Sequence, residues 1–342
     1  MICEKRDYMN NKDRKIFWDT LCSLQGIDIN HEAEILRKTI KMPKYLYRFR
    51  PVTINSLESL RINTMFFSTA DYYDDPFDSF THIDWDLVAK QIQAEYHDTV
   101  KLEKIATSIQ TTFNLPEDTV KAMVAAIKSM TSDQWIDFST TVLKEARAEI
   151  QKRQLSICFT EQCNNEVLWL KYASEHKGFA LEYQVTDEFL LYNDNGIKHN
   201  YFLYPIYYSN SKYNASDYAK KIAFQLLALS LNPVLQTYIL RNIPTLNWHY
   251  ERIGLIKHKC HEHDKEWRIL HPFIMTSQDI KRQRPQMNRR PNSVIIGIRT
   301  GSSEKNLIIS LAKEAGIPRI YQLSIDRNGK FVKNLLYSDK KK

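Results

Sequence analysis

The sequence is poor in glycine, and its glycines form none of the common nucleotide-binding loops. Only 8 of its 342 residues are glycine. Neither G-x-G-x-x-G nor G-x-x-x-x-G-K-[ST] occurs. These loops need glycine for tight turns and for close approach of the backbone to phosphate. A Rossmann or P-loop nucleotide site therefore has no local support in this chain.

Cysteines and long apolar runs are also scarce. The cysteines number 5, an odd count, and include no C-x-x-C pair. This argues against a disulfide framework and favours a reducing cytoplasm. The N-terminus lacks the apolar core of a signal peptide. The most apolar stretch, Ile222 to Leu240, is interrupted by Gln225, Asn232 and Pro233, so we expect no membrane-spanning segment and a cytoplasmic protein.

What the sequence does contain is typical of a globular protein with a net positive charge. Hydrophobic residues make up 43% and charged residues 26%, and the formal net charge is +8. Such a balance favours anionic partners such as nucleic acid, a dinucleotide or an acidic surface, although ordinary solubility explains it equally well. The segment "KRQRPQMNRRP" (281–291) concentrates this charge, either as a guide for an anion or as a solvated loop.

Hydrophobic periodicity divides the chain into an arm and a larger domain. Helical spacing predicts a helical N-terminal arm over residues 1–42, with Asn30 as an N-cap of its second helix. Residues 43–338 alternate strand-like and helical patterns, which predicts an α+β domain. Within it, glycine-free helical patterns at about 85–152 and 215–252 predict helical insertions.

Several motifs occur in a recognisable order: "LYRFR", "SLESLRINTMFFST", "YYDDPFD", "SICFTEQCNNEVLWLKYASEHKGFALEY" and "KEWRIL". This ordered set, spread over residues 45–337, resembles the DUF2971 family of bacterial and phage-encoded proteins. The family pattern has F-N-D-P-F-D where this chain has "YDDPFD" (73–78). It also has aromatic residues where this chain has His261 and His263.

That family in turn resembles divergent ADP-ribosyltransferases, and the resemblance implies both a fold and a reaction. The implied fold is a split, mostly antiparallel sheet that binds NAD as a substrate without a Rossmann fingerprint. The implied motif order is a basic residue on a first strand, an aromatic or serine element, and a late glutamate. Here Arg48, the Phe67–Ser68 to Tyr172 region and Glu266 supply it. The implied function is a mono-ADP-ribosyltransferase-like glycosyltransferase that modifies a nucleic acid or protein acceptor in bacterial or phage conflict, as a defence protein or a toxin.

Glu266 is the candidate catalytic residue. Cleavage of the bond between nicotinamide and ribose has an oxocarbenium-like transition state, which a nearby carboxylate stabilises. A carboxylate can also hold a ribose hydroxyl or deprotonate the acceptor. If "KEWRIL" is a strand, alternation places Glu266 and Arg268 on one face and Trp267 and Ile269 on the other. The alternative is a structural ion pair between Glu266 and Arg268 or a lysine.

The NAD-binding candidates share an aromatic or polar character and a place in these motifs. The arginine fork of Arg48 suits the pyrophosphate or the adenosine ribose, unless Arg48 pairs with an acid of "DDPFD". The spacing of Trp169, Tyr172 and His176 predicts one helix face, either stacking on nicotinamide or packing on the sheet. The full set is Tyr47, Arg48, Ser68, Asp75, Trp169, Tyr172, His176 and Arg268.

The stretch "KHKCHEHDKE" (257–266) permits a metal site in principle. His258, Cys260 and His263 with an acid would make four ligands, but no second C-x-x-C or H-x-x-x-H element lies nearby. We therefore predict no metal, and a polar loop that leads into a functional strand. Cys158, in an apolar strand, is predicted to be buried and inert, with a Cys–His nucleophile pair involving His176 as the alternative.

Two other functions stay open at the level of sequence. One is a non-enzymatic binding module that recognises nucleic acid or a phage protein on a decayed core. The other is a metal-dependent nuclease. The sequence carries no indication of the oligomeric state or of the acceptor.

Overall fold

The structure of the protein is a computed structural model. It describes residues 9–113, 115–131, 133–134, 136–137, 140–141, 144, 148, 151–152, 154–194, 197–220, 248–271, 280, 282 and 284–339. The predicted insertion at 215–252 lies largely outside the described residues, as does much of 132–153. None of the described helices has the length and apolar character that a bilayer crossing requires.

Helices form the N-terminal arm, the first insertion and short connections between strands. The α-helices are α1 (Asn11–Ser23), α2 (Ile29–Arg37), α3 (Ile54–Arg61), α4 (Trp85–His97), α5 (Thr99–Phe113), α6 (Glu117–Lys128), α7 (Glu166–Tyr172), α8 (Asp187–Leu190), α9 (His249–Gly254) and α10 (Ser302–Glu314). Two 3-10 helices cover Ala70–Tyr72 and Lys259–Asp264.

Strands make up one large sheet and three small pairs. They are β1 (Tyr45–Arg50), β2 (Thr64–Phe66), β3 (Ser68–Thr69), β4 (Leu155–Thr160), β5 (Phe179–Gln184), β6 (Leu191–Asp194), β7 (Ile197–Asn200), β8 (Leu203–Pro205), β9 (Tyr207–Ser209), β10 (Ile256–His258), β11 (Glu266–Leu270), β12 (Gln286–Asn288), β13 (Ser293–Ile296), β14 (Arg319–Ile325) and β15 (Phe331–Ser338).

The large sheet is open and mixed. Its order is β15-β14-β13-β5-β1-β4-β11-β8, and β3 also pairs with β4. β13 and β14 run parallel, whereas the other pairs of this sheet are antiparallel. The predicted α+β class is therefore confirmed. The sheet is mixed because it contains one parallel pair among the described strands, β13 with β14.

The centre of the sheet contains an opening between β1 and β4. β1 pairs with β5 along all six of its residues, from Tyr45 to Arg50. It pairs with β4 at one position only, Tyr47 with Thr160. At the other end of β4, Ser156 pairs with Ser68 of β3 instead. β1 and β4 therefore diverge beyond their single pair. The opening between them is bordered by backbone and side chains of both strands.

The N-terminal arm is packed into the same core as the sheet. Phe17 and Leu21 of α1 are fully buried in the main hydrophobic cluster. Arg14, 1% exposed, pairs with Glu161 and donates hydrogen bonds to the backbone carbonyl of Glu266 at 2.9 Å. The arm therefore supports the start of β11. Its second helix is capped by Asp28, not by the predicted Asn30, because the Asp28 carboxylate accepts from the His31 N–H.

Three consecutive helices, α4, α5 and α6, lie between β3 and β4 in the chain. Strands β1, β4, β5, β11, β13 and β14 fall within residues 43–338, where strand-like and helical patterns alternate. Among the described cysteines, Cys163 is disulfide-bonded, whereas Cys22, Cys158 and Cys260 are free.

Candidate functional site

A cavity of about 240 Å³ occupies the opening between β1 and β4. It is bordered by both strands, by β11 and by the segment that follows β3. Seven of the nine site residues predicted from the sequence line it: Tyr47, Arg48, Ser68, Asp75, Tyr172, Glu266 and Arg268. The fold thus gathers residues from four distant parts of the chain around one space.

Glu266 and Arg268 reach the cavity because β11 alternates as predicted. Trp267 and Ile269, between and after them, are fully buried in the main core. Antiparallel pairing sets Glu266 opposite Thr160 and Arg268 opposite Cys158. Since side chains of paired residues share a face, these two charged groups lie over the same side of β4.

Both charged groups belong to a buried ion network. The Arg268 guanidinium donates to the Asp78 carboxylate at 2.9 and 2.6 Å and to Glu266 Oε1 at 2.6 Å. Lys257 Nζ donates to Glu266 Oε2 at 2.9 Å and to the Asp264 carboxylate at 2.9 Å. Three carboxylates thus share two cations, and all five side chains are buried. This is the ion pairing that was weighed as the structural alternative for Glu266.

The network fixes the charge state of Glu266. Burial alone raises the pKa of this carboxyl, but the adjacent charges of Arg268 and Lys257 outweigh burial and lower the pKa below its usual value. Each carboxylate oxygen also accepts a hydrogen bond from one of these cations. Glu266 is therefore an ionised group at neutral pH. It suits stabilisation of positive charge or acceptance of a hydroxyl hydrogen bond, and it is a weak general base.

The opposite wall of the cavity carries arginines from β1. Arg48 and Arg50 alternate with Tyr47 and Phe49, so they project to the other face of the strand, and the cavity borders residues from both faces. The Arg48 guanidinium lies 5.7 Å from the ring centre of Phe159. Within the described chain, neither guanidinium has an acidic partner. The alternative that Arg48 pairs with "DDPFD" is thus wrong for this structure.

A third arginine approaches from the basic segment 281–291. Arg284 donates to the Phe67 carbonyl at 2.7 Å and to Ser68 Oγ at 2.9 Å, and Ser68 lines the cavity. Repulsion by Arg48, followed by burial, lowers the pKa of Arg50 to about 9, and the charge of Arg284 contributes to this lowering. Burial lowers the pKa of Arg48 as well.

Arg50 and Arg284 were not among the predicted site residues. Arg50 was within reach of the sequence argument, because a residue two positions after Arg48 on a strand shares its face. Arg284 was singled out only as part of a basic segment. No local pattern connects it to Ser68, which lies more than 200 residues earlier.

Neutral polar groups lie between the two charged walls. The Tyr73 hydroxyl hydrogen-bonds Ser156 Oγ, and the Arg268 guanidinium lies 5.2 Å from the centre of the Tyr73 ring. Cys158 also lines the cavity, and burial raises the pKa of its thiol to about 11. The Cys158 thiol is therefore protonated at neutral pH, which does not suit a nucleophile.

Trp169 and His176 do not line the cavity. Trp169 is fully buried, and its ring packs edge-on against Phe49 with centroids 4.9 Å apart. α7 ends at Tyr172, so the helical spacing that was expected to align His176 does not continue to it. Residues 174–176 instead adopt left-handed backbone conformations. Here the alternative of aromatic packing on the sheet holds for Trp169.

Tyr47 lines the cavity with its hydroxyl already engaged. The Tyr47 hydroxyl donates to Glu182 Oε2 at 2.9 Å, and Lys333 Nζ also donates to that carboxylate, at 3.1 Å. The Tyr47 hydroxyl is therefore already bound to a carboxylate within the protein. Tyr172 at the same wall is half-buried.

The histidine-rich stretch forms the expected polar segment before the strand. His261 Nε2 lies 3.1 Å from the Asp75 carboxylate, and His263 Nε2 lies 3.2 Å from Asp264. Among the residues that the structure describes, no group of three or more metal-ligating side chains could hold an ion. The histidines thus surround the carboxylates of the network rather than a shared centre.

Comparison with known proteins gives one family match. The model of DUF2971, described as a protein of unknown function, matches residues 168–269. The matched segment runs from α7 to β11 and includes Tyr172, Lys257, Glu266 and Arg268, which supports the family assignment made from the motifs. Searches of curated proteins and of solved structures found no match.

Proposed function

We propose that the protein is an NAD-consuming, ADP-ribosyltransferase-like enzyme that transfers ADP-ribose to a macromolecule. The observation that carries this proposal is that an ionised carboxylate, Glu266, lines the same cavity as Arg48 and Arg50, which have no acidic partner among the described residues. A ligand that joins a ribose bearing a cationic leaving group to a pyrophosphate matches both walls. The resemblance to a family of bacterial and phage-encoded proteins is the basis for proposing a defence or toxin role.

In this proposal Glu266 acts through its charge. Departure of nicotinamide leaves positive charge on the ribose, and a fixed carboxylate in a low-dielectric site stabilises that charge without reorganising. Arg268 and Lys257 hold the carboxylate in place through its two oxygens. Because the pKa of Glu266 is lowered, the proton of the acceptor must pass to another group or to solvent.

The cavity volume limits how much of NAD is enclosed. Sites for drug-sized ligands measure about 300–1,000 Å³, and this cavity measures about 240 Å³. It therefore holds one part of a dinucleotide. In the proposed orientation the nicotinamide riboside lies beside Glu266 and Tyr172, the pyrophosphate lies towards Arg48, and the adenosine extends to the mouth.

The test follows the label from NAD carrying ³²P in its adenylate phosphate. Purified protein is incubated with the labelled NAD, alone and with cell lysate, and the label is located in protein, nucleic acid or free ADP-ribose. We expect transfer by the wild type and its loss in Glu266→Gln. Glu262→Gln is the matched control, since Glu262 is a neighbouring carboxylate that does not line the cavity. Full transfer by Glu266→Gln would remove Glu266 from the proposal.

One observation favours the non-enzymatic alternative. Both oxygens of Glu266 already accept from buried cations, as expected of a structural ion pair. In that case the cavity binds a ligand without cleaving it. Thermal stabilisation of the protein by RNA, together with absence of turnover and of stabilisation by NAD, would select this binding-module function.

A further inference from the structure

The arginine wall of the cavity carries charge that the described protein does not neutralise. Arg48 and Arg50 project from one face of β1, and Arg284 hydrogen-bonds Ser68 of β3, the short strand that pairs with β4. The partners of Arg284 are a carbonyl and a hydroxyl, both neutral. Within the described part of the chain, no carboxylate pairs with any of these three guanidiniums.

The carboxylates of the cavity lining are committed elsewhere or face solvent. Asp78, Asp264 and Glu266 are held by Arg268 and Lys257, Asp75 lies against His261, and Asp74 is exposed. Charge neutralisation of the arginine wall by Asp78, Asp264 or Glu266 would require the ion network to break. Since Arg268 and Lys257 are buried together with these carboxylates, such a rearrangement would leave two buried cations without partners.

Arg48 and Arg50 carry like charges on one face of β1, and both are half-buried. Repulsion by Arg48, followed by burial, lowers the pKa of Arg50 to about 9, and the charge of the exposed Arg284 adds to this lowering. Arg50 still carries its charge at neutral pH. A bound anion would relieve both costs at once, and arginine forks match the oxygens of phosphoryl groups.

We propose that Arg48, Arg50 and Arg284 form a binding site for the pyrophosphate group of a dinucleotide. This deepens the proposed function, because it assigns Arg50 and Arg284 to the same ligand. The hydroxyls of Ser68, Ser156 and Tyr73 lie at the same end of β4 and supply neutral donors beside the charges.

A small ligand fits these observations better than a nucleic acid strand. Arg48 and Arg50 line an opening of about 240 Å³ within the sheet, and Arg284 reaches its lining through Ser68. Backbone tracking of nucleic acid uses an exposed groove several nucleotides long. Arg48 and Arg50 are half-buried and point into the opening, so an internucleotide phosphate would need its strand to enter the sheet.

The test measures anion binding by calorimetry and by the melting temperature, without any turnover. The probes are sodium pyrophosphate, ADP-ribose, nicotinamide riboside and a 5′-phosphorylated oligonucleotide, each at ionic strength matched with sodium chloride. We expect saturable binding of pyrophosphate and of ADP-ribose and a raised melting temperature. Nicotinamide riboside, which has no phosphate, should not bind this wall.

The variants are Arg48→Met, Arg50→Met and Arg284→Met, with Arg282→Met as the matched control on the same basic segment. The three site variants should weaken pyrophosphate and ADP-ribose binding at least tenfold, and Arg282→Met should not. Arg50→Met should also melt no lower than the wild type without ligand, because it removes an unneutralised charge. This second readout distinguishes loss of a binding group from loss of the fold.

The outcomes separate this inference from the proposed function. If pyrophosphate binding depends on the three arginines but NAD is not turned over, the anion site is supported and the transferase function is rejected. If NAD turnover is unchanged in Arg50→Met and Arg284→Met, the anion site is rejected and the transferase function is still supported. Equal weakening in Arg282→Met, absence of saturable pyrophosphate binding, or preference for the oligonucleotide over ADP-ribose would also overturn the site.

Discussion

Replacing Arg268 by methionine removes the cation that ties Asp78 to Glu266. The wild-type side chain is 1% exposed. It donates two hydrogen bonds to Asp78, one to Glu266 and one to the Gly254 carbonyl at 2.8 Å. Methionine has a similar length and no charge, so the packing volume is largely kept while every one of these bonds is lost.

The size of the effect follows from the charge count of the network. Three buried carboxylates share two cations in the wild type, and they share only Lys257 in Arg268→Met. Removing one partner of a buried ion pair costs about 3–5 kcal/mol, because the remaining charge stays buried without compensation. Total unfolding free energies are about 5–15 kcal/mol, so a large share of the stability would be lost.

The dependence on pH gives this prediction a specific signature. The pKa of Glu266 is lowered in the folded protein, so its stabilising contribution is present above the unfolded value near 4.5 and is lost as the pH falls. Arg268→Met removes much of that contribution. The difference in unfolding free energy between wild type and variant should therefore be largest near pH 7 and should shrink below about pH 4.5.

The assay is urea denaturation of both proteins at pH 7 and at pH 4. Arg61→Met is the matched control, because Arg61 forms an exposed pair with Glu58 that is worth about 1 kcal/mol or less. A loss below about 1 kcal/mol in Arg268→Met, or a loss that does not depend on pH, would refute the reasoning about the buried network.

Three further results are expected. The thiol pKa of Cys158 is about 11, so about one molecule in a thousand carries the thiolate at pH 8. Iodoacetamide should therefore label the exposed Cys260 before Cys158. Equal labelling rates of the two cysteines in peptide mapping would contradict this. The rate of nicotinamide release should not fall between pH 8 and pH 5 through protonation of Glu266, because the pKa of this carboxyl is lowered. A rate that falls with an apparent pKa near 6 in the wild type, but not in Glu266→Gln, would contradict this. Trp169→Ala should lower the unfolding free energy by about 3–5 kcal/mol in urea titrations, because it empties a fully buried site. A cost under about 1 kcal/mol would show that the packing of Trp169 against Phe49 contributes little to stability.

Local pattern was sufficient to predict the central strands of the site. β1 and β11 alternate large and charged residues over five or six positions, and period-2 alternation determines which side chains share a face. For that reason Glu266 and Arg268 were correctly placed together, with Trp267 and Ile269 in the core.

What sequence reasoning missed depends on distant partners or on local breaks. Lys257 joins Glu266 only because β10 and the 3-10 helix after it fold back onto β11, and Arg284 meets Ser68 only in the folded sheet. His176 was misplaced because α7 ends at Tyr172 and three left-handed residues follow. β15 was not predicted, since its exposed edge lacks an alternating apolar face.

The central claim is that the opening between β1 and β4 binds NAD and that Glu266 promotes its cleavage. The most direct measurement is nicotinamide release from NAD by chromatography, with wild type, Glu266→Gln and Glu262→Gln side by side at equal concentration. The account predicts release by the wild type and by Glu262→Gln, and its loss in Glu266→Gln with the NAD affinity retained. Absence of release by the wild type, with no NAD binding in calorimetry, would contradict it.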